Sequence, residues 1–296
     1  MRARYSARPI KALFATVATV AALAVGWAQP ALAWGEVGHR TIAAIAQANI
    51  KPETAARIAD LLKAEAGLGT VACPVKSLAD AAVWPDCLRS DSPRWAYTFP
   101  WHFHDSEVPG PGFDLKANCS YGGCVTAQID RTRRIVADKS LPVAQRLEAL
   151  AFLTHFVGDL HQPLHAAEHE HDHGGNAVKV DYPGNPNGNL HWLWDSTIAE
   201  RAVVTAPSPV VRAYTSEERA KIATGTVGDW AQESWVVARD VVYPQVYGHA
   251  AGKGEQPHGV VTITQAQIDA DAPVARGRIV AAGLRLARVL DEALGQ

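Results

Sequence analysis

His155 and Asp159 lie four residues apart in the segment T-H-F-V-G-D-L-H-Q-P-L-H, which ends on His165. The same spacing returns at His191 and Asp195. With 3.6 residues per helical turn, positions i and i+4 share a face, so each pair would present an imidazole beside a carboxylate. Zinc takes that ligand mixture, and catalytic zinc sites keep one position open for water. One such pair is a weak signal, because a helical His in a core is ordinarily just hydrogen-bonded. Two pairs on apolar helices, with a third His close by, favour a metal site. Other residues of metal-binding type precede them. Trp34 and His39 open the segment W-G-E-V-G-H; Asp86 follows Trp84-Pro85 and leads to Arg89; His102, Phe103, His104 and Asp105 form a run. Taken singly, each admits a plainer role as a helix cap, a core His or a packed aromatic.

Helices must position these groups. Apolar periodicity predicts them over 35–49, 52–66, 76–89, 122–138, 143–163, 190–203, 216–246 (with a break) and 264–293. Pro52 suits a first helical turn, where its missing N–H costs nothing. Strand signals are few: 177–182 alternates, and 260–264 is short. The predicted class is mainly α with at most a small β-hairpin. No internal repeat or long linker divides the chain, so one catalytic domain over 34–296 is expected.

Residues 1–33 carry Arg2, Arg4, Arg8 and Lys11, then an apolar run ending in Ala31-Leu32-Ala33. This is the pattern of a cleaved export signal. The run is shorter than the roughly 20 residues a spanning helix needs. The expectation is a secreted or periplasmic protein, free of the membrane, that begins at Trp34. Cleavage would lower Lys+Arg from 28 to 24 against 30 Asp+Glu, leaving a formal net charge of −6. An acidic chain is poorly suited to tracking duplex phosphates with many cationic contacts. Phosphate binding would then come from bound metal. Four cysteines suit an oxidising compartment. The short separations favour Cys73–Cys87 and Cys119–Cys124, the latter around a Gly-Gly turn; a cysteine zinc site is the alternative, but there is no C-x2-C pair.

The order of these motifs from Trp34 to beyond Asp195 closely resembles the zinc-dependent, single-strand-specific nucleases of the S-one/P-one type. The resemblance implies a mostly helical fold with three zinc ions in a cleft. It implies nine ligands: Asp86, His102, His155 and Asp159 for one ion; Trp34, His39 and the bridging Asp159 for a second; His165, His191 and Asp195 for the third. Trp34 would bind through its free α-amine and carbonyl. Clustered divalent ions ionise water near neutral pH and offset charge on a phosphoryl group. Asp86, Arg89 and Asp159 are the implied catalytic residues, with Arg89 contacting phosphate. Phe103 would stack on a base and Asp105 bond its edge, with Asn176 lining the same pocket. The implied substrates are single-stranded nucleic acid and 3′-nucleotides, acted on by a monomer with no stable protein partner.

Two other readings compete. A zinc-dependent phospholipase C shares the fold and a similar ligand order, but usually ends its ligand set with Glu, where this chain has Asp195. A zinc-storage protein would draw on the loop His169-Glu170-His171-Asp172-His173, although a buried three-ion cluster releases metal poorly. His161, two residues beyond Asp159, is expected to make structural hydrogen bonds.

Overall fold

Apolar residues cover every side of one helix, α6 (Val143–Leu160), whose residues Ala149 to Leu160 are all buried. A helix buried from Ala149 onward belongs at the centre of a core, and helices from both ends of the described chain pack on it. The structure is a computed structural model that describes residues 34–257 and 259–295. The expected export segment, 1–33, lies outside these residues. The described residues fall into one compact unit.

Helices α1 (Glu36–Gln47), α2 (Pro52–Leu62) and α3 (Leu78–Cys87) precede a short α4 (Ser92–Trp95) and a seven-residue 3-10 helix, Ala96–His102. Next come α5 (Val125–Ala137) and α6, and both α3 and α5 pack on α6. Three pieces run on continuously: α7 (Leu190–Trp192), a π-helical segment Leu193–Ile198, and α8 (Ala199–Val204). The predicted 216–246 helix is indeed broken, into α9 (Ser216–Ile222) and α10 (Val227–Val237), and continues through a second π segment into α11 (Tyr243–Tyr247). Thr215 and Thr226 each start their helix with a reciprocal capping box. The 30-residue α12 (Gln265–Leu294) packs across α1, α8 and α5.

Helix ends depart from the periodic pattern for local reasons. The predicted 143–163 helix stops at Leu160, because Pro163 disfavours helical backbone at the residue before it, and Gln162 is extended. The predicted 52–66 helix stops at Leu62, and a separate 3-10 turn follows at Glu65–Leu68. A small hairpin forms from β3 (Lys179–Tyr182) and β4 (Asn185–Asn189), the second strand lying where the sequence carries no strand signal, and β5 (Val261–Thr262), within the predicted 260–264 strand, adds to it in parallel. A separate parallel pair, β1 (Ser106–Glu107) with β2 (Ala167–Glu168), joins the loop after His102 to the loop after His165. Both expected disulfides are present, with Cα separations of 5.8 Å for Cys73–Cys87 and 5.0 Å for Cys119–Cys124. Among the described residues no helix is long and apolar enough to cross a membrane.

Candidate metal centre

The i, i+4 spacing on α6 aims His155 and Asp159 at one point, and three other segments bring side chains to it. His39 arrives from α1, with Nε2 3.2 Å from Asp159 Oδ1. His102, at the end of the 3-10 helix, places Nδ1 3.2 Å from Asp159 Oδ2, and His155 Nε2 lies 3.3 Å from the same oxygen. Asp86, near the end of α3, approaches His155 at 3.8 Å and His102 at 3.9 Å. The His39 and His155 rings stack at 4.1 Å. Gly158 makes that approach possible, since a Cβ there would meet His39 Nδ1 at 2.8 Å.

A second group forms where the chain turns after α6. His165 and His191 face each other at 3.1 Å through their Nε2 atoms, and Asp195 Oδ2 lies 3.2 Å from His191 Nε2. Asp195 falls in the π segment, a turn type frequent at functional sites. Trp34 is fully buried beside this segment, where the Gly35 amide donates to the Asp195 carbonyl at 2.6 Å. Gly174, at φ +61°, accepts the His191 Nδ1 proton on its carbonyl at 2.6 Å; a Cβ on it would strike the Leu164 carbonyl.

The donor set fits metal ions. His155 donates from Nδ1 to the Ala82 carbonyl at 2.7 Å, His165 to that of His102 at 2.7 Å, and His191 to that of Gly174. A neutral imidazole that donates from Nδ1 keeps a lone pair on Nε2. The Nε2 atoms of His165 and His191 therefore face each other as lone-pair donors, 3.1 Å apart. Both oxygens of Asp159, Oδ2 of Asp195 and both ring nitrogens of His39 are buried without hydrogen-bond partners. Leaving such groups unsatisfied is costly, and a divalent ion satisfies them together. His39, His155 and Asp159; Asp86, His102 and His155; and His165, His191 and Asp195 could each hold one ion.

Electrostatics separates the two carboxylates. Burial works to raise Asp159, yet His155, His102 and His39 hold it well below the usual carboxylate range. At Asp195 burial prevails over His191 and Gln162, and the carboxyl is raised. Burial and the neighbouring His191 push His165 down to about 3.

A cleft of about 260 Å³ opens over both groups, lined by Arg89, Phe103, Asp105 and Asn176 together with His102, His165 and His191. Arg89 donates to Asp86 at 3.1 Å, and Phe103 is 41% exposed. Asp105 is buried with Oδ1 unpartnered, and burial with nearby Glu168 raises its carboxyl well above the ordinary range. Asn176 donates to the His173 carbonyl at 2.8 Å. Cavities of about 670 and 550 Å³ elsewhere gather no such set.

Sequence reading missed Gln162, which is fully buried and donates to Asp195 Oδ1 at 2.6 Å while accepting the Leu164 amide. A glutamine carries no spacing signal. In the His-rich loop, His169 bonds Tyr247 and the Gly252 carbonyl, and Asp172 accepts from His169, Gly175 and Tyr243. These two residues hold the loop in place. His161 bonds the Val157 carbonyl and Arg285, in the structural role expected of it.

A cluster of buried imidazoles and carboxylates under an open cleft is the architecture of a metal-dependent hydrolase. The S1/P1 Nuclease family model matches residues 34–295, and the chain belongs to that family of phosphodiester hydrolases. It is 29% identical to Nuclease S1 of Aspergillus oryzae over 76% of this chain and 75% of that protein. It is 32% identical to Endonuclease 3 of Arabidopsis thaliana, over 67% and 66% respectively. Nuclease P1 of Penicillium citrinum is 33% identical over 57% of this chain and 60% of its own length.

Proposed function

We propose that this chain is an exported, monomeric zinc endonuclease that cleaves single-stranded DNA and RNA at the 3′-O–P bond, leaving 5′-phosphates. It would also remove phosphate from 3′-mononucleotides, because the same 3′-oxygen leaves in both reactions. The observation that carries the reading is the convergence of carbonyl-fixed Nε2 lone pairs and unpartnered carboxylate oxygens beneath the cleft.

Three zinc ions are proposed: one on Asp86, His102, His155 and Asp159; one on Trp34, His39 and Asp159; and one on His165, His191 and Asp195. Mixed imidazole and carboxylate donors suit zinc. Bound zinc supplies a hydrolytic nucleophile at neutral pH and Lewis acidity toward the phosphoryl group. Asp159, open at both oxygens, is the residue able to serve two ions. Arg89 offers a planar fork of donors to the phosphoryl oxygens as charge develops there. Phe103 presents a ring face to a base, Asp105 a carboxyl to the base edge, and Asn176 borders the same space. Pairing denies access to a base face, hence the preference for single strands. Cleavage behind Ala33 would free the Trp34 α-amine to bind metal and deliver the protein outside the cytoplasm. The test is release of acid-soluble nucleotides from single-stranded DNA: chelator should abolish it and zinc restore it, whereas phosphatidylcholine hydrolysis without nucleotide release would overturn the reading.

A further inference from the structure

The 3-10 helix Ala96–His102 does more than deliver His102. At three residues per turn, positions i and i+3 eclipse, so Tyr97 and Pro100 fall on one edge, and Phe103 follows the helix in extended backbone. Tyr97 is 59% exposed, Pro100 is exposed and Phe103 is 41% exposed, whereas Thr98 and His102 are buried. Pro100 and Phe103 line the cleft, and with a rise of about 2 Å per residue Tyr97 lies about 6 Å beyond Pro100 along the helix. The Tyr97 ring is braced rather than loose. It stacks on Trp95 at 6.3 Å and meets the edge of Trp101 at 5.3 Å, and Trp101 in turn packs on Phe152.

Cations accompany the rings. The Arg131 guanidinium sits 5.3 Å from the Trp101 ring centre, Arg94 lies 4.7 Å from that of Trp95, and Arg89 lies 5.6 Å from that of Phe99. The charged groups that face Tyr97 are Arg94, Arg131 and Glu148, a net positive set. In a chain that is acidic overall, interleaved aromatic and arginine side chains continuous with the cleft match the needs of single-stranded nucleic acid: ring faces for bases and cations for the backbone. A purely structural role accounts for Trp95 and Trp101, whose rings are in the core or against it, but not for the exposure of Tyr97.

We infer that Tyr97, with Arg131 beside it, forms a second stacking subsite that holds a nucleotide beyond the one at Phe103. The inference rests on the nuclease reading above. It predicts that the enzyme favours oligonucleotides over dinucleotides, and that this advantage resides in the ridge.

Two measurements on zinc-loaded full-length mature protein test it. The first compares kcat/KM on a single-stranded DNA 12-mer with that on a dinucleotide, for the parent, Tyr97→Ala, Tyr97→Trp and Arg131→Ala. The second is the anisotropy Kd of a labelled phosphorothioate 12-mer for the same proteins. Tyr97→Ala should lower the 12-mer to dinucleotide ratio about fivefold to tenfold, a modest share of what stacking one base can supply. The 12-mer Kd should rise to match. Tyr97→Trp should restore both, and Arg131→Ala should shift them in the same direction with a steeper loss at low salt. Equal effects on both substrates, or none, would overturn the subsite. A parent that binds the 12-mer through Tyr97 yet hydrolyses neither substrate would refute the nuclease reading and leave the ridge standing on the binding data.

Discussion

Asp159 and Asp195 are both fully buried carboxylates that follow a His by four residues, yet their surroundings differ. Asp159 meets imidazoles from three other positions, His39, His102 and His155, and neither of its oxygens has a hydrogen-bond partner. Asp195 meets one imidazole, and its Oδ1 is taken by the Gln162 amide, which leaves Oδ2 alone facing His191. The first carboxylate has two free ends and the second has one. Valence at each site is thus set by what else touches the carboxylate rather than by helical spacing, which is identical in the two. A third buried carboxylate, Asp271 on α12, shows what happens without imidazoles. Burial pushes it up to about 6, opposed only by the Gln245 amide at 2.6 Å.

The largest effect should come from the carboxylate with two free ends. Asp159→Asn removes a donor to two proposed ions, so zinc content should fall by more than one per chain and hydrolysis by about a thousandfold or more. A variant that loses a single zinc, or keeps wild-type activity, would erase the distinction between the two carboxylates. Gln162→Leu acts instead at Asp195. It frees Asp195 Oδ1 to rotate and should weaken the third ion about 10- to 100-fold, as loss of an orienting partner does, while leaving the other two ions in place. Zinc titration that detects two tight sites and one weakened site would show this; uniform loss at all three would not fit. Phe103→Ala touches neither group. Zinc content and thermal stability should stay at parental values while KM for single-stranded DNA rises about tenfold through the lost stacking surface.

The smallest effect belongs to Asp271. Its folded pKa is raised, so the native state binds this proton more tightly than the unfolded chain, and ionisation costs stability. That cost is absent below about pH 4, grows between about pH 4 and 6, and is constant above. Asp271→Asn should match the parent near pH 4 and exceed it by about 1–3 kcal/mol near pH 7.5, read from urea midpoints. Equal stability of the two proteins at both pH values would mean that burial does not set this carboxyl.

Much of this centre was legible in the sequence because helices convert spacing into direction. His155 with Asp159, and His191 with Asp195, fall on common faces by spacing alone. The cysteine pairings followed from short separations. Other features left no periodic trace. The β1–β2 pair involves two residues in each strand, too few to alternate, yet it binds the loop after His102 to the loop after His165. The π segment at 193–198 inserts itself into what reads as ordinary helix. Gln162 and the Gly174 carbonyl act through single hydrogen bonds. The Tyr97 ridge depends on a period of three within an aromatic run whose composition alone suggests packing.

Two kinds of buried carboxylate, one open at both oxygens and one at a single oxygen, underlie the proposal of three ions in one centre. Zinc quantified per folded chain, on protein beginning at Trp34 and verified as active on single-stranded DNA, tests it most directly. Three zinc ions per chain are expected, with activity lost on chelation and regained with zinc. An active protein holding one zinc or none would contradict it.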